Sequence, residues 1–351
     1  MIIDLKYKKI SKNSETYFIA DIAANHDGDL QRAKDLIHLA KEAGADCAKF
    51  QHFRAKDIVS GKGFQDLKQI KTHQSKWEKP VEEVYDQYHT RRDWDEELIK
   101  TCNDLNIEFM TTPYDLEAVK IYSAYCRGLK IGSGDITFHQ IIEEACRTSL
   151  PIFIATGAAH LFETERAVEL IRSYGNPYCL FQCNTNYTGD LSNFQFVNLN
   201  VLKQFSISFP DAILGLSDHT PGHAAVLGAV ALGARVIEKH FTDDNSRIGP
   251  DHKFALNPKS WREMVSRTRE LELALGDGIK RVEENELNTV IVQRRAIRAA
   301  KPLKVGTLIK TSDIKFLRPC PSNALEPHES NSIIGTKIDY DMSEDDIFER
   351  K

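Results

Sequence analysis

No stretch of this 351-residue chain stays apolar for the roughly 20 residues that a membrane-spanning helix needs, so membrane insertion through helices is not expected. Positive charge is not in excess either. Lysine and arginine number 46 against 51 acidic residues, a net charge of −5, which argues against a nucleic-acid or anionic-membrane surface while leaving room for local basic pockets. The seven cysteines (47, 102, 126, 146, 179, 183 and 320) are odd in number and scattered, several inside apolar runs such as Cys179–Cys183. That pattern excludes a disulfide framework and suits reduced, buried thiols. The start, Met1–Ser14, has lysines but lacks the apolar segment of a signal peptide. Internal repeats and low-complexity segments are missing too. These absences predict a soluble, cytoplasmic globular protein with neither nucleic acid nor membrane as a partner.

What is present is a long alternation of short apolar runs and helical patterns. Tyr17–Ile22 reads as a strand and Leu30–Ala43 as the helix behind it, closed by Gly44; Asp46–Phe53 reads as a second strand. A polar section near 54–92 carries Trp77, Tyr85 and Tyr88. It is too long for a plain loop and predicts short helices over one face. Further strand–helix pairs follow, with strands at Glu108–Thr112, Leu129–Gly132, Pro151–Ala155, Tyr178–Cys183, Ile213–Leu216 and Val236–Glu238. Pro221-Gly222 opens the alanine-rich helix Ala224–Leu232, and Pro258–Leu275 closes the series. Eight such alternations over about 280 residues are the arithmetic of an α/β fold, the TIM (β/α)8 barrel. The expected division is a catalytic barrel over 1–282, a charged linker over 283–292 and a small β-rich module over 293–351.

The polar residues collect at the carboxyl ends of these strands, where barrels hold their chemistry. Asp21 follows the first strand, Lys49 and Gln51 belong to the second, Thr111 and Thr112 to the third. Lys130, Ser133 and Asp135 attend the fourth, and Asn184, Thr185 and Tyr187 the sixth. Ser217, Asp218 and His219 are expected just past the seventh, Glu238 at the end of the eighth and His240 just past it. Singly, each has an ordinary explanation: strand-end lysines are solvated, and Ser or Thr caps the next helix. In a ring they converge on one mouth. Two lysines with hydroxyls and turn glycines suit a phosphate, and acids beside paired histidines suit a divalent metal and a polyhydroxy ligand.

The motifs I-A-D-I-A-A-N-H-D-G-D, A-K-F-Q, T-T-P-Y-D, K-I-G-S-G-D, G-L-S-D-H-T and E-K-H-F-T with G-P-D resemble, in order, those of the sialic acid (N-acetylneuraminate) synthase family, including legionaminic and pseudaminic acid synthases. The tail, R-R-A-I-R-A-A-K-P-L-K-V-G-T-L-I through I-I-G-T-K-I, resembles that family's SAF (antifreeze-like, β-clip) domain. The resemblance implies an enzyme, a transferase, that joins phosphoenolpyruvate to an N-acylated hexose aldehyde, giving a 3-deoxy-2-keto acid and phosphate. It implies His219 and His240 as ligands of a divalent metal, Mn2+ before Mg2+ or Co2+. Lys49, Thr112, Lys130, Ser133 and Ser217 would hold phosphoenolpyruvate, with Asn184 or Thr185 beside them. Asp21, Gln51, Asp135, Tyr187 and Asp251 would face the sugar. Of these, Asp21, Lys49, Gln51, Asp135, His219 and His240 would carry the catalysis. Arg318 would reach the sugar's acylamino group from a partner subunit, in a homodimer with exchanged C-terminal domains.

Several positions depart from the family pattern. Asp21 and Asp135 stand where Glu is usual, Ala155 replaces a serine, and Q-C-N-T-N-Y-T replaces H-C-x-x-x-Y-P. The phosphoenolpyruvate residues are kept and the sugar-side residues are changed. That predicts an acceptor other than plain N-acetylmannosamine, such as a diacetamido-trideoxyhexose. Against this stand a metal-dependent barrel aldolase or related sugar enzyme that does not use phosphoenolpyruvate, a Schiff-base aldolase with a desolvated lysine, and a non-catalytic sugar-binding protein.

Overall fold

Between residues 17 and 240 the chain alternates short strands of three to six residues, most of them rich in branched or aromatic side chains, with helices that bring it back for the next parallel strand. The computed structural model describes residues 1–67, 70, 74 and 77–350. Its strands are β1 (Tyr17–Asp21), β2 (Cys47–His52), β3 (Glu108–Pro113), β4 (Leu129–Ile131), β5 (Ile152–Ala155), β6 (Tyr178–Cys183), β7 (Ile213–Asp218) and β8 (Val236–His240). They close in sequence order, β8 pairing with β1, into a parallel barrel. This is the expected TIM barrel.

Alternation along the strands sorts two layers. Phe18, Ala20, Ala48, Phe50, Leu129, Ile131, Leu180, Leu216 and Ile237 face the helices in one continuous core. Tyr17, Ile19, Cys47, Met110, Phe153, Cys179, Phe181, Ile213 and Val236 fill the interior. The amino-terminal segment has a structural role that its lysines hid. Ile3–Asp4 and Lys9–Ile10 form a hairpin whose Ile3, Leu5 and Ile10 join the interior cluster. The interior is therefore apolar at one end, and the same alternation delivers Asp21, Lys49, Thr112, Lys130, Ser217 and Glu238 to the other. Gly215 is fixed by this packing: a Cβ there would lie 2.6 Å from the Phe181 ring and 2.9 Å from the Val236 carbonyl.

Some strand ends differ from expectation. Ser217 and Asp218 lie within β7, and His240 is the last residue of β8 rather than the residue past it. The physical reason is the ladder itself, since Glu238 pairs with Ser217, Lys239 with Asp218 and His240 with Asp21, so the extended backbone continues beyond the apolar run. Asp21 likewise ends β1. Among its described residues, the polar section after β2 carries the short helices Ala55–Ile58, Gly61–Asp66 and Val81–Tyr88. No helix among the described residues is long and apolar enough to cross a membrane.

The chain divides into two compact units, Met1–Gly276 and Asp277–Lys351. The stretch 283–292, expected as a linker, forms a turn and most of the helix Leu287–Gln293. The Cys320 amide donates to its Ile291 carbonyl at 2.8 Å, tying that helix to the second unit. That unit holds the antiparallel pair β9 (Ala296–Ala299) and β10 (Ile314–Leu317) over a core of Ile297, Leu303, Ile309, Ile338, Met342 and Phe348. The runs L-K-V-G-T-L-I (303–309) and S-I-I-G-T-K-I (332–338), whose apolar patterning reads as two further short strands, pair only through single bridges, Leu303 with Met342 and Leu308 with Lys337. Gly306 and Gly335, at φ of 81° and 84°, turn the chain there and cut the strands short.

Candidate active site

At the carboxyl end of the barrel the interior becomes charged. Lys49 Nζ lies 2.7 Å from Asp21 Oδ2 and 3.8 Å from Glu238 Oε2, and donates to Thr112 Oγ1 at 3.3 Å. Lys130 Nζ lies 3.3 Å from Glu238 Oε1, which also accepts from Ser217 Oγ at 2.9 Å. Lys130 stands 5.2 Å above the Phe181 ring. All of these residues are buried. Burial alone would raise the Glu238 carboxyl, but Lys130 and Lys49 hold it down at about 2. Burial would likewise lower Lys49, yet Asp21 and Glu238 raise it above an ordinary lysine. An ammonium stabilised in this way is a fixed cation and not the neutral amine that a Schiff-base aldolase requires.

Above this floor lies a cavity of about 410 Å3 lined by Gln51, Asp135, Tyr187, His240 and Asp251, with Phe53, Ile58, Trp77, Val84, Tyr85, Tyr88 and Tyr114 as its aromatic and apolar wall. Two features of the sequence build it: the strand-end polar residues, and the helix Val81–Tyr88, which lays Val84, Tyr85 and Tyr88 over the mouth. Gln51 Nε2 donates to Asp21 Oδ2 at 3.0 Å, so the cavity and the floor share one carboxylate. Burial pushes Asp135 up to about 6. Among the described residues lining the cavity there is no lysine or arginine.

His219 and His240 face each other with ring centroids 5.4 Å apart, between Tyr187 and Phe254. Two imidazoles sharing one ion through metal–nitrogen bonds of about 2.1 Å fit that span. His240 Nδ1 and Asp21 Oδ1 are buried without a hydrogen-bond partner among the described residues, which leaves both lone pairs available to a ligand. Burial lowers the His240 pKa despite nearby Asp251 and Asp21, leaving the neutral ring a ligand must be. For His219 burial acts in the same direction, but the Cys183 thiol and the Asn184 carbonyl outweigh it and raise the pKa. His219 Nδ1 is held at 2.9 Å by that carbonyl. No group of three or more His, Cys, Asp or Glu side chains is gathered for a metal among the described residues, so the chain offers two imidazoles and leaves other positions to water or substrate. On these grounds the residues fit a divalent cation.

The structure thus brings Asp21, Lys49, Gln51, Thr112, Lys130, Ser217, His219, His240, Tyr187 and Asp251 together, with Asp135 on the cavity wall. Ser133 Oγ accepts from the Gly157 amide at 2.9 Å, and a Cβ on Gly157 would meet Thr185, Ser133 and Cys183 within 3.1 Å. Asn184 enters through its backbone carbonyl; its side chain donates to the Phe196 carbonyl instead. Ala155 is buried in the interior cluster. Arg318 belongs to the second unit, where its Nε donates to the Gln293 carbonyl at 2.6 Å. Sequence reasoning placed Glu238 at a strand end without giving it a role; the strict alternation Glu238 in, Lys239 out, His240 in was the available signal. Cys183 and Phe254 were missed, since a lone thiol or phenyl at a strand end carries no pattern of its own.

A family model described as the NeuB family matches residues 36–280. The chain is 34% identical over 338 residues to the N,N'-diacetyllegionaminic acid synthase of Legionella pneumophila, covering 93% of this chain and 91% of the relative. It is 33% identical over 337 residues to the synthase of the same name from Campylobacter jejuni, covering 95% and 98%. Among solved structures, the N-acetylneuraminic acid (sialic acid) synthetase of Leptospira borgpetersenii, in complex with citrate, superposes with a TM-score of 0.72 at 26% identity over 83% of this chain and 95% of that one.

Proposed function

The chain belongs to the NeuB family of sialic-acid-type synthases, and from that premise we propose that it condenses phosphoenolpyruvate with an N-acylated hexose aldehyde. The product would be a 3-deoxy-2-keto acid, with release of inorganic phosphate. The observation that carries this reading is the two-storey site. Buried, ion-paired lysines lie in the floor, and a partly aromatic cavity of about 410 Å3, with no lysine or arginine among its described lining residues, lies above them. The floor suits a small polyanion, the cavity a sugar with apolar substituents.

Lys49 and Lys130 each have three donors, and their ion pairs leave some free for the carboxylate and phosphate of phosphoenolpyruvate. Thr112 and Ser217 add hydroxyls at the same level. In the free enzyme Asp21 and Glu238 keep both ammonium groups in place, so little reorganisation is needed when substrate arrives. Gln51, Asp135 and Asp251 are positioned to accept from or donate to sugar hydroxyls and amides, and the wall of Phe53, Tyr85 and Tyr88 excludes water. A divalent cation, Mn2+ in the first instance, would be held by His219 and His240 and would polarise the aldehyde oxygen as a Lewis acid. The new bond joins the phosphoenolpyruvate methylene carbon to the aldehyde carbon. Water then adds at the adjacent carbon and the C–O bond to phosphate breaks. Relatives named for legionaminic acid, with the apolar wall, favour a deoxygenated diacetamido acceptor. The small second unit is proposed to be an SAF domain, and the working form a homodimer in the cytoplasm.

The test is phosphate release with phosphoenolpyruvate, Mn2+ and a panel of N-acylated hexoses. Release that requires both substrates is expected. Sugar turnover without consumption of phosphoenolpyruvate would overturn the reading and leave a barrel aldolase.

A further inference from the structure

Both imidazoles adjoin one buried ammonium that faces away from them. Lys239, 1% exposed, sits between Glu238 and His240 in β8 and points toward the helix layer. Its Nζ pairs with the Asp218 carboxylate and donates to the Thr220 carbonyl at 2.6 Å. Asp218 and Thr220 are the two neighbours of His219. The Asp218 carboxylate also accepts from the Thr220 amide at 3.0 Å and from its hydroxyl at 2.9 Å, so the turn carrying His219 is drawn into a closed loop around the ammonium. The same lysine is the backbone neighbour of His240, and it is in register with Asp218 across the β7–β8 ladder. A buried charge with this many partners is costly to disturb and holds its geometry tightly.

We infer that Lys239 and Asp218 are positioning residues for the metal site: the buried pair fixes the separation of His219 from His240 and thereby the affinity for the divalent cation. The inference rests on the proposed metal reading. It concerns the backbone behind the imidazoles, since neither Lys239 nor Asp218 reaches the ion. Residues that orient ligands from behind commonly set metal affinity by roughly 10- to 100-fold.

The experiment measures Mn2+ binding to the full-length protein by electron paramagnetic resonance, without substrates, in wild type, His240→Ala, Lys239→Met, Asp218→Asn and the Asp218→Asn/Lys239→Met double variant. Folding of each is checked by far-ultraviolet circular dichroism. The expected result is a Kd raised about 10- to 100-fold in Lys239→Met and in Asp218→Asn, with no further rise in the double variant, because the two act as one unit. Substitution with Co2+ should show an altered visible spectrum in the same variants, which a simple loss of stability would not produce. If Lys239→Met does not fold, the double variant, which buries no unpaired charge, carries the test. Folded variants that bind Mn2+ within about twofold of wild type with an unchanged Co2+ spectrum would overturn the inference alone. A wild-type protein that binds no Mn2+, or that binds it equally after His240→Ala, would remove the metal reading and this inference with it.

Discussion

Glu238 Oε1 stands 3.3 Å from the Lys130 ammonium, with both groups closed to solvent at the base of the candidate site. The other carboxylate oxygen faces Lys49, so one acid holds the two cations assigned to the anionic substrate. Glu238 is therefore the resting counter-ion of the floor, and removing it takes a negative partner from two lysines at once.

That arrangement predicts a stability effect with a definite sign. Against the upward pull of burial, the two lysines bring the Glu238 carboxyl from 4.5 to about 2. The folded state then binds fewer protons than the unfolded state between those values. The contribution is fully present above pH 4.5 and is lost as pH falls toward 2. Glu238→Gln should lower stability near neutrality by about 3 kcal/mol. Urea unfolding at pH 7, 5 and 4 should show the gap between variant and wild type beginning to narrow only at the lowest pH. A gap that does not change would mean the lysines do not hold this carboxylate.

Lys130→Met should raise the KM for phosphoenolpyruvate by about 100-fold, the cost of one charge-assisted contact in a desolvated site. The KM for the sugar should stay within about threefold, because Lys130 lies in the floor and does not line the cavity. Steady-state kinetics with each substrate varied in turn decides it. Equal effects on both would mean that the two storeys have been assigned to the wrong substrates.

The barrel was legible because short apolar runs and helical patterns alternate eight times, and runs such as Tyr178–Cys183 are bounded by clear turn signals. Strand ends were less so. Ser217, Asp218 and His240 are polar, so apolar patterning stopped short of them, although backbone pairing does not. Alternation could tell which way Glu238 and Lys239 face, but not which partners they meet. Those partners are distant in sequence, as Lys49 and Lys130 are from Glu238. The hairpin of Ile3–Asp4 and Lys9–Ile10 was hidden for a similar reason, since two-residue strands carry no periodicity. Their burial follows only from the open end of the barrel they fill.

Arg318 makes no ion pair among the described residues, its Nε being spent on the Gln293 carbonyl. An arginine without an acidic partner in its own unit retains donors for a ligand. We propose that these serve the sugar's acylamino group in the site of a second subunit. His240→Ala and Arg318→Ala should each be inactive alone. Mixed under conditions that allow subunit exchange, they should recover activity, because one hybrid site would carry both intact residues. A mixture that stays inactive although heterodimers form would place Arg318 in its own chain's site or in none.

Asp135 gives the sugar side a pH signature. Burial pushes its carboxyl from 3.8 to about 6. The folded state here binds more protons than the unfolded state between those values. Ionising Asp135 therefore costs stability as pH rises through 6, the reverse of Glu238. Asp135→Asn should match wild type in stability near pH 4 and exceed it by about 1–2 kcal/mol above pH 6, allowing for partial exposure of the group. Its proposed role is the carboxylate form, accepting a hydrogen bond from the acceptor sugar. The wild-type kcat/KM for the sugar should then rise with pH through an apparent pKa of about 6, and Asp135→Asn should be slower and flat over that range. Asp135→Glu should restore the rising limb, since the acid and its burial are kept. A limb that persists unchanged in Asp135→Asn would assign it to another group and remove Asp135 from the sugar's contacts.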